Sequence, residues 1–170
     1  VVLTLACTQL ATPTLAACPR PSARSGHAMA FDEARGLALV FGGVGKGEKF
    51  LGDLWGWDGA EWRRLARTGP EPRLDAAMVY DASRGKVVLY GGQHFPTFYA
   101  DTWEWDGTTW LDVTPAGTKP AARTGANMVY DAARARTVLF GGQAYVGGEL
   151  VYEREFNLSH KLEPARGEEG

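Results

Sequence analysis

The chain has 170 residues, 45% hydrophobic and 22% charged, with a formal charge of −2, which is the balance of a protein that folds around a buried core. That charge provides no basic footprint for nucleic acid or an anionic membrane surface. Its 22 glycines and 9 prolines suit an all-β protein with many turns, without reaching the level of low-complexity sequence.

No charged residue precedes Arg20, and residues 1–18 are rich in Val, Leu, Ala and Thr. They look like the apolar core and small-residue end of a secretory signal, without its basic leading segment. Gln9 and Pro13 make the stretch too polar for a spanning helix. Leu15-Ala16-Ala17-Cys18 resembles the lipobox of bacterial lipoproteins, which marks Cys18 as a candidate lipidation site; Leu3-Thr4-Leu5-Ala6-Cys7 is a looser match. The alternatives are a Cys7–Cys18 disulfide or two thiols in an unstructured leader. The expectation is a signal-like or disordered leader over 1–18, a secreted or cell-envelope location, and no transmembrane segment.

From residue 21 one unit is written three times. Pro21, Pro70 and Pro120 each stand three residues before Arg24, Arg73 and Arg123. Phe31-Asp32, Tyr80-Asp81 and Tyr130-Asp131 follow, and then Phe41-Gly42-Gly43, Tyr90-Gly91-Gly92 and Phe140-Gly141-Gly142. All three landmarks repeat with spacings of 49 and then 50, so the units are about 21–69, 70–119 and 120–152 within a repeat region 19–152.

Each unit predicts four short strands. The first runs over 27–31, 76–80 and 126–130, and the aspartate after it starts a turn, its carboxylate bonding backbone two residues on. The second covers 37–41, 87–90 and 137–140, an apolar run that suits a strand buried on both faces. The glycine pair ends it, allowing backbone angles or approaches that a Cβ forbids. After a longer loop come Asp53-Leu-Trp55-Gly-Trp57-Asp58-Gly59 and Asp101-Thr-Trp103-Glu-Trp105-Asp106-Gly107. Their tryptophans alternate with other residues as in a strand with one covered face, and Asp-Gly supplies a hairpin turn to the fourth strand. The third unit loses the pattern after Gly142, and 153–170 reads as a polar, aperiodic tail.

A lone four-stranded sheet of this size cannot bury its apolar faces, whereas repeated sheets bury them on one another as blades of a β-propeller. The paired glycines, the aromatic-Asp before them and the tryptophan strand after them resemble the kelch repeat, whose period is also about 50. The fit is best to bacterial kelch-like repeats related to the central domain of galactose oxidase, over about Pro21 to Gly142. The resemblance implies three four-stranded blades, the third incomplete. Propellers close with about four to eight blades. The expectation is therefore a piece of a larger propeller, with self-association through open blade faces as the alternative.

Several chemical motifs fail on inspection. Gly42 to Gly47 hints at a phosphate loop, but Val40 stands in the first glycine's place and Gly47 where Ser or Thr should bind magnesium. His27, His94 and His160 share no metal-ligand spacing, so no metal and no cofactor are expected. A copper oxidase like galactose oxidase needs a cysteine joined to a tyrosine, and no cysteine lies within the repeats. Arg24, Arg73 and Arg123 repeat strictly, which suits hydrogen-bonding forks between blades better than catalysis. No catalytic residue is assigned, and the enzyme alternative is a fragment of a sugar oxidase or epimerase whose catalytic residues lie outside this chain.

Connections in an antiparallel blade alternate between its ends. The Asp-Gly turns and the turns after Asp32, Asp81 and Asp131 thus share one end. Loops 44–52, 93–100 and the start of 143–148 share the other with linkers 66–72 and 114–122. Varied loops on a rigid frame are where binding resides. Lys46, Lys49 and Phe50 in the first loop, with His94, Phe95, Phe98 and Tyr99 in the second, are the binding candidates, suited to a sugar ring or a protein partner. The reading is an exported, non-catalytic scaffold that binds protein or carbohydrate.

Overall fold

The computed structural model describes residues 19–146, 149–152 and 156–157. The leader-like segment 1–18 with Cys7 and Cys18, and His160, lie outside them. Apart from a 3-10 turn at Lys46–Glu48, every regular element among the described residues is a β-strand.

The first blade is an antiparallel sheet of β1 (Ala28–Asp32), β2 (Leu37–Phe41), β3 (Leu54–Trp57) and β4 (Trp62–Ala66), side by side in chain order. The second begins with β5 (Ala77–Asp81) and β6 (Lys86–Tyr90). Its long loop folds into a small hairpin of β7 (Gln93–His94) and β8 (Thr97–Phe98), and β9 (Thr102–Trp105) and β10 (Trp110–Asp112) complete it. The third contains β11 (Asn127–Asp131) and β12 (Arg136–Phe140), then a hairpin of β13 (Gln143–Val146) and β14 (Glu149–Tyr152), and finally β15 (Phe156–Asn157) against β12.

The register repeats. Ala28 opposes Phe41, Ala77 opposes Tyr90, and Asn127 opposes Phe140. The first strands run one residue later than predicted, because Asp32, Asp81 and Asp131 still pair with Leu37, Lys86 and Arg136 before the chain turns. Their carboxylates then hold the turn. Asp81 Oδ1 accepts the Ser83 amide at 3.1 Å, two residues on. Asp32 and Asp131 accept the amides of Arg35 and Arg134, three residues on, both at 3.2 Å.

The innermost strands β1, β5 and β11 pack side by side in that order, so the second blade lies between the other two. Its β6 buries Val87, Val88, Leu89 and Tyr90, as an unbroken apolar strand covered on both sides should. The main core forms where Ala28, Leu39, Phe41 and Leu54 of the first blade meet Met78, Tyr80, Val87, Leu89 and Trp105 of the second. A smaller core joins Ala77 and Tyr90 to Leu139 of the third, with Ala126 and Met128 packed against it.

β9 departs from the one-covered-face expectation. Thr102 and Glu104, which alternate with its tryptophans, are 1% and 3% exposed, so the second face of the strand is covered as well. A buried carboxylate needs partners, and Glu104 accepts hydrogen bonds from Arg84 and from Lys86 Nζ, the latter at 2.7 Å.

The third blade also differs from its sequence reading. The ladder sets Phe156 opposite Leu139, at the position where Trp103 opposes Leu89 and Trp55 opposes Val40. An aromatic residue thus returns inside the stretch read as a polar tail. The β13–β14 hairpin lengthens the loop before it and takes the residue out of the sequence period.

The glycine pair carries the joint between blades. Gly42 and Gly91 have φ of +67° and +66°. A Cβ on either would sit 2.6 Å from a carbonyl oxygen of the next blade, Arg73 O or Arg123 O. Gly91→Ala is expected to cost at least about 1–2 kcal/mol from the left-handed backbone alone, read as a lower urea midpoint.

Candidate binding surface

The surface stands on the repeated arginines. Arg73 is 1% exposed. Its side chain donates to Glu71 O at 2.9 Å, to Gly91 O at 2.9 Å, and to both carboxylate oxygens of Asp101 at 2.6 and 2.8 Å. Its backbone meanwhile belongs to the first blade: Gly43 N–H donates to Arg73 O at 2.8 Å, and Arg73 N–H donates to Leu51 O at 3.1 Å. One residue therefore joins the first blade through its main chain and the second through its guanidinium. Arg123 repeats the arrangement, with Gly92 N–H and Tyr99 O on its backbone and Gly141 O on its side chain.

Arg24 donates to Gly42 O at 3.0 Å and to Asp53 at 2.7 Å. Asp53 and Asp101 also take the indole N–H of the tryptophan two residues on, Trp55 at 2.6 Å and Trp103 at 2.7 Å. Burial works to raise the Asp53 carboxyl, but bonds from Arg24 and Trp55, and the Arg24 charge, outweigh it and hold its pKa below the ordinary aspartate value. A depressed folded-state pKa means that the stabilisation is whole above the ordinary value and lost as pH falls through the depressed one. Asp53→Asn should cost about 2 kcal/mol at neutral pH. The gap to the parent protein should close on acidification through that window, as followed by thermal melts.

These nodes fix the loops above them. Phe50 from the first long loop stacks on His94 from the second, with ring centroids 4.0 Å apart and planes 14° from parallel. His94 Nδ1 lies 3.0 Å from Pro72 O. The guanidinium of Arg73 sits over the Tyr99 ring at 3.8 Å, a contact worth more for being desolvated. A cavity of about 500 Å³ opens between loop 44–52 and linker 66–72, with Lys49, Phe50, Asp53, Arg64, Arg67 and Glu71 in its wall.

The structure thus gathers Lys49, Phe50, His94 and Tyr99 around linker 66–72. Lys46 is exposed on the 3-10 turn. Phe98 is half-buried on β8. Phe95, 78% exposed, stands free at the tip of the β7–β8 hairpin.

Three arginines of the candidate surface and the blade joints escaped the sequence reading. Arg64 and Arg67 line the cavity, and Arg64 also covers the Trp55 ring at 4.9 Å; no repeated pattern announces them. Arg35 does have a signal, because an arginine follows Asp32, Asp81 and Asp131 by three residues in every unit. Each such arginine pairs with its aspartate, at 2.9, 2.8 and 2.7 Å. Arg35 reaches further, to Gly85 O and Asp106 O of the second blade, and ties the short turns together at the end away from the long loops.

Among the described residues no group of three His, Cys, Asp or Glu is placed to hold a metal ion, and no helix is long and apolar enough to cross a membrane.

Repeated four-stranded antiparallel sheets packed side by side, with their long loops at one end, define the class as kelch-type propeller blades. The chain matches the family model described as the KLHDC2/KLHL20/DRC7 Kelch-repeats domain over residues 2–164. It belongs to the kelch-repeat family, whose domains generally mediate protein interactions. No curated protein matches it as a relative.

Proposed function

We propose that the chain is a non-catalytic recognition scaffold that grips a protein ligand through the long-loop end of its blades. The observation that carries this reading is the Phe50–His94 stack across two blades. It fixes an aromatic platform beside a cavity edged by Lys49, Arg64 and Arg67, with Phe95 projecting into solvent next to it. Aromatic and arginine anchors of this kind dominate protein-binding energetics. The cationic edge favours an acidic peptide segment, and a glycan is the competing ligand.

The test is a display library of acidic and neutral peptides set against a glycan array, followed by titration of the best binder. Phe95→Ala and Lys49→Ala should each weaken that binder by about tenfold or more, in the range of a hot-spot truncation, with the unfolding midpoint unchanged. Unaltered affinity in both variants would place the ligand elsewhere. Tyr99 is a poor choice for this experiment, because its ring covers the buried Arg73 and its loss would disturb the frame.

A further inference from the structure

The linker between the first and second blades crosses the long-loop end from rim to axis. It leaves β4, the outermost strand of the first sheet, and enters β5, the innermost strand of the second. Along that line the chemistry changes in three steps. At the rim the cavity wall carries Lys49, Arg64 and Arg67, and the carboxylate of Asp53 in the same wall is already held by Arg24 and Trp55. Further in, the Phe50–His94 stack is tied to the linker at Pro72 O. Beyond it Leu74 pairs with Gln93, and Asp75 stands just before β5.

Asp75 breaks the repeat. Its equivalents are Gly26 and Gly125, with φ of +61° and +67°, and Asp75 keeps the same left-handed backbone at +52°. The position serves the joint through main-chain groups: Asp75 N–H donates to Gly26 O at 2.7 Å, and Gly125 N–H donates to Asp75 O at 2.9 Å. Glycine would make both bonds without strain. The Asp75 carboxylate lies over Gly26 and is exposed. Partial burial by its neighbours raises its pKa above the ordinary aspartate value, and no donor or cation among the described residues offsets this. A side chain kept in a sparsely populated backbone region that no contact requires points to a role in function.

We propose that Asp75 anchors a basic residue of the ligand, so that an extended peptide lies along this junction with an acidic side chain at the rim, an apolar one on the Phe50–His94 stack and a Lys or Arg on Asp75. The proposal rests on the recognition reading above and adds the order of side chains that the site selects. Rim and inner strands of a blade are three strand spacings apart, about 14 Å, which an extended chain spans in about four residues. Alternate residues of such a chain face one side, so the acidic, apolar and basic side chains fall at i, i+2 and i+4 and all face the protein. A further blade on either side would join the first or third blade at its other face and leave this junction as it is.

Fluorescence anisotropy with labelled short peptides tests this. The probes carry Glu-Ser-Phe-Ser-Lys or the reverse order Lys-Ser-Phe-Ser-Glu between serine flanks, with both ends blocked. Each is paired with a version that has Gln for Lys and with one that has Lys moved outward by one position. In one chain direction Lys should tighten binding about tenfold over Gln, as for a close charge pair, and the moved Lys should lose that gain. Asp75→Asn should abolish the gain and leave affinity for the Gln peptide unchanged, at the parent's urea midpoint, because Asn tolerates the left-handed backbone. Asp75→Gly, which restores the residue of the other two units, serves in the same role if Asp75→Asn fails to fold. A Lys gain that survives in the variant, or no gain in either direction while the Gln peptides still bind, overturns this proposal alone. Failure of every peptide to bind at millimolar concentration overturns the acidic-peptide reading along with it.

Discussion

Trp105→Ala should lower stability by about 4 kcal/mol, within the usual cost of truncating a buried aromatic. Trp105 is 1% exposed and belongs to the main core. Its ring meets Trp110 at 5.6 Å, and Trp110 in turn meets Phe41 of the first blade edge-on at 5.5 Å. Removing it therefore opens a cavity at a junction of two sheets, where neither can collapse without losing the other. The repeat supplies its own control. Trp57 opposes Ala38 as Trp105 opposes Val87, yet it is only half-buried, on the outward face of the first blade. Trp57→Ala should cost less than half as much. Urea unfolding followed by far-ultraviolet circular dichroism separates the two, and equal losses would mean that the blade junction contributes nothing special.

Arg73→Ala is expected to cost about 3–5 kcal/mol, the penalty for stranding one member of a buried ion pair. Asp101 would keep its charge without its fork, Gly91 O and Glu71 O would lose their donor, and Tyr99 would lose the cation beneath its ring. Arg73→Lys should recover only part of this, since an ammonium cannot address both carboxylate oxygens and two carbonyls from one plane. The double change Arg73→Met with Asp101→Asn should be milder than Arg73→Ala alone. It removes both charges and leaves the carboxamide oxygen to accept from Trp103. A double variant weaker than the single would locate the main contribution in attraction between the charges rather than in the avoided burial of an unpaired one.

The legible parts of the fold were those that every blade must repeat. The aromatic-Asp, the glycine pair and the Trp-x-Trp strand recur because each serves a joint that recurs, so β1, β2, β5, β6, β11 and β12 could be placed to within a residue. The third blade's outer strand was hidden. Its position accepts Phe156 in place of tryptophan, and an inserted hairpin moved it out of phase. The burial of Glu104 was hidden as well, since alternation along β9 cannot tell a solvent-facing carboxylate from one covered and paired with Arg84 and Lys86 of its own blade. At the loop end, Lys49, Phe50, His94 and Tyr99 were readable as loop residues on one side of the frame. The cavity wall of Arg64 and Arg67 was not, because it arises only when a linker folds back on a loop distant from it in sequence.

The joints between blades have a consequence for how such a chain changes over generations. They are made by main-chain groups at a glycine and an arginine, so they do not depend on which side chains the neighbouring loops carry. A copied unit inserted in phase would find its donor and its acceptor waiting at both borders. Length can therefore change by whole units without a new joint being invented, while the loops between are free to diverge one at a time.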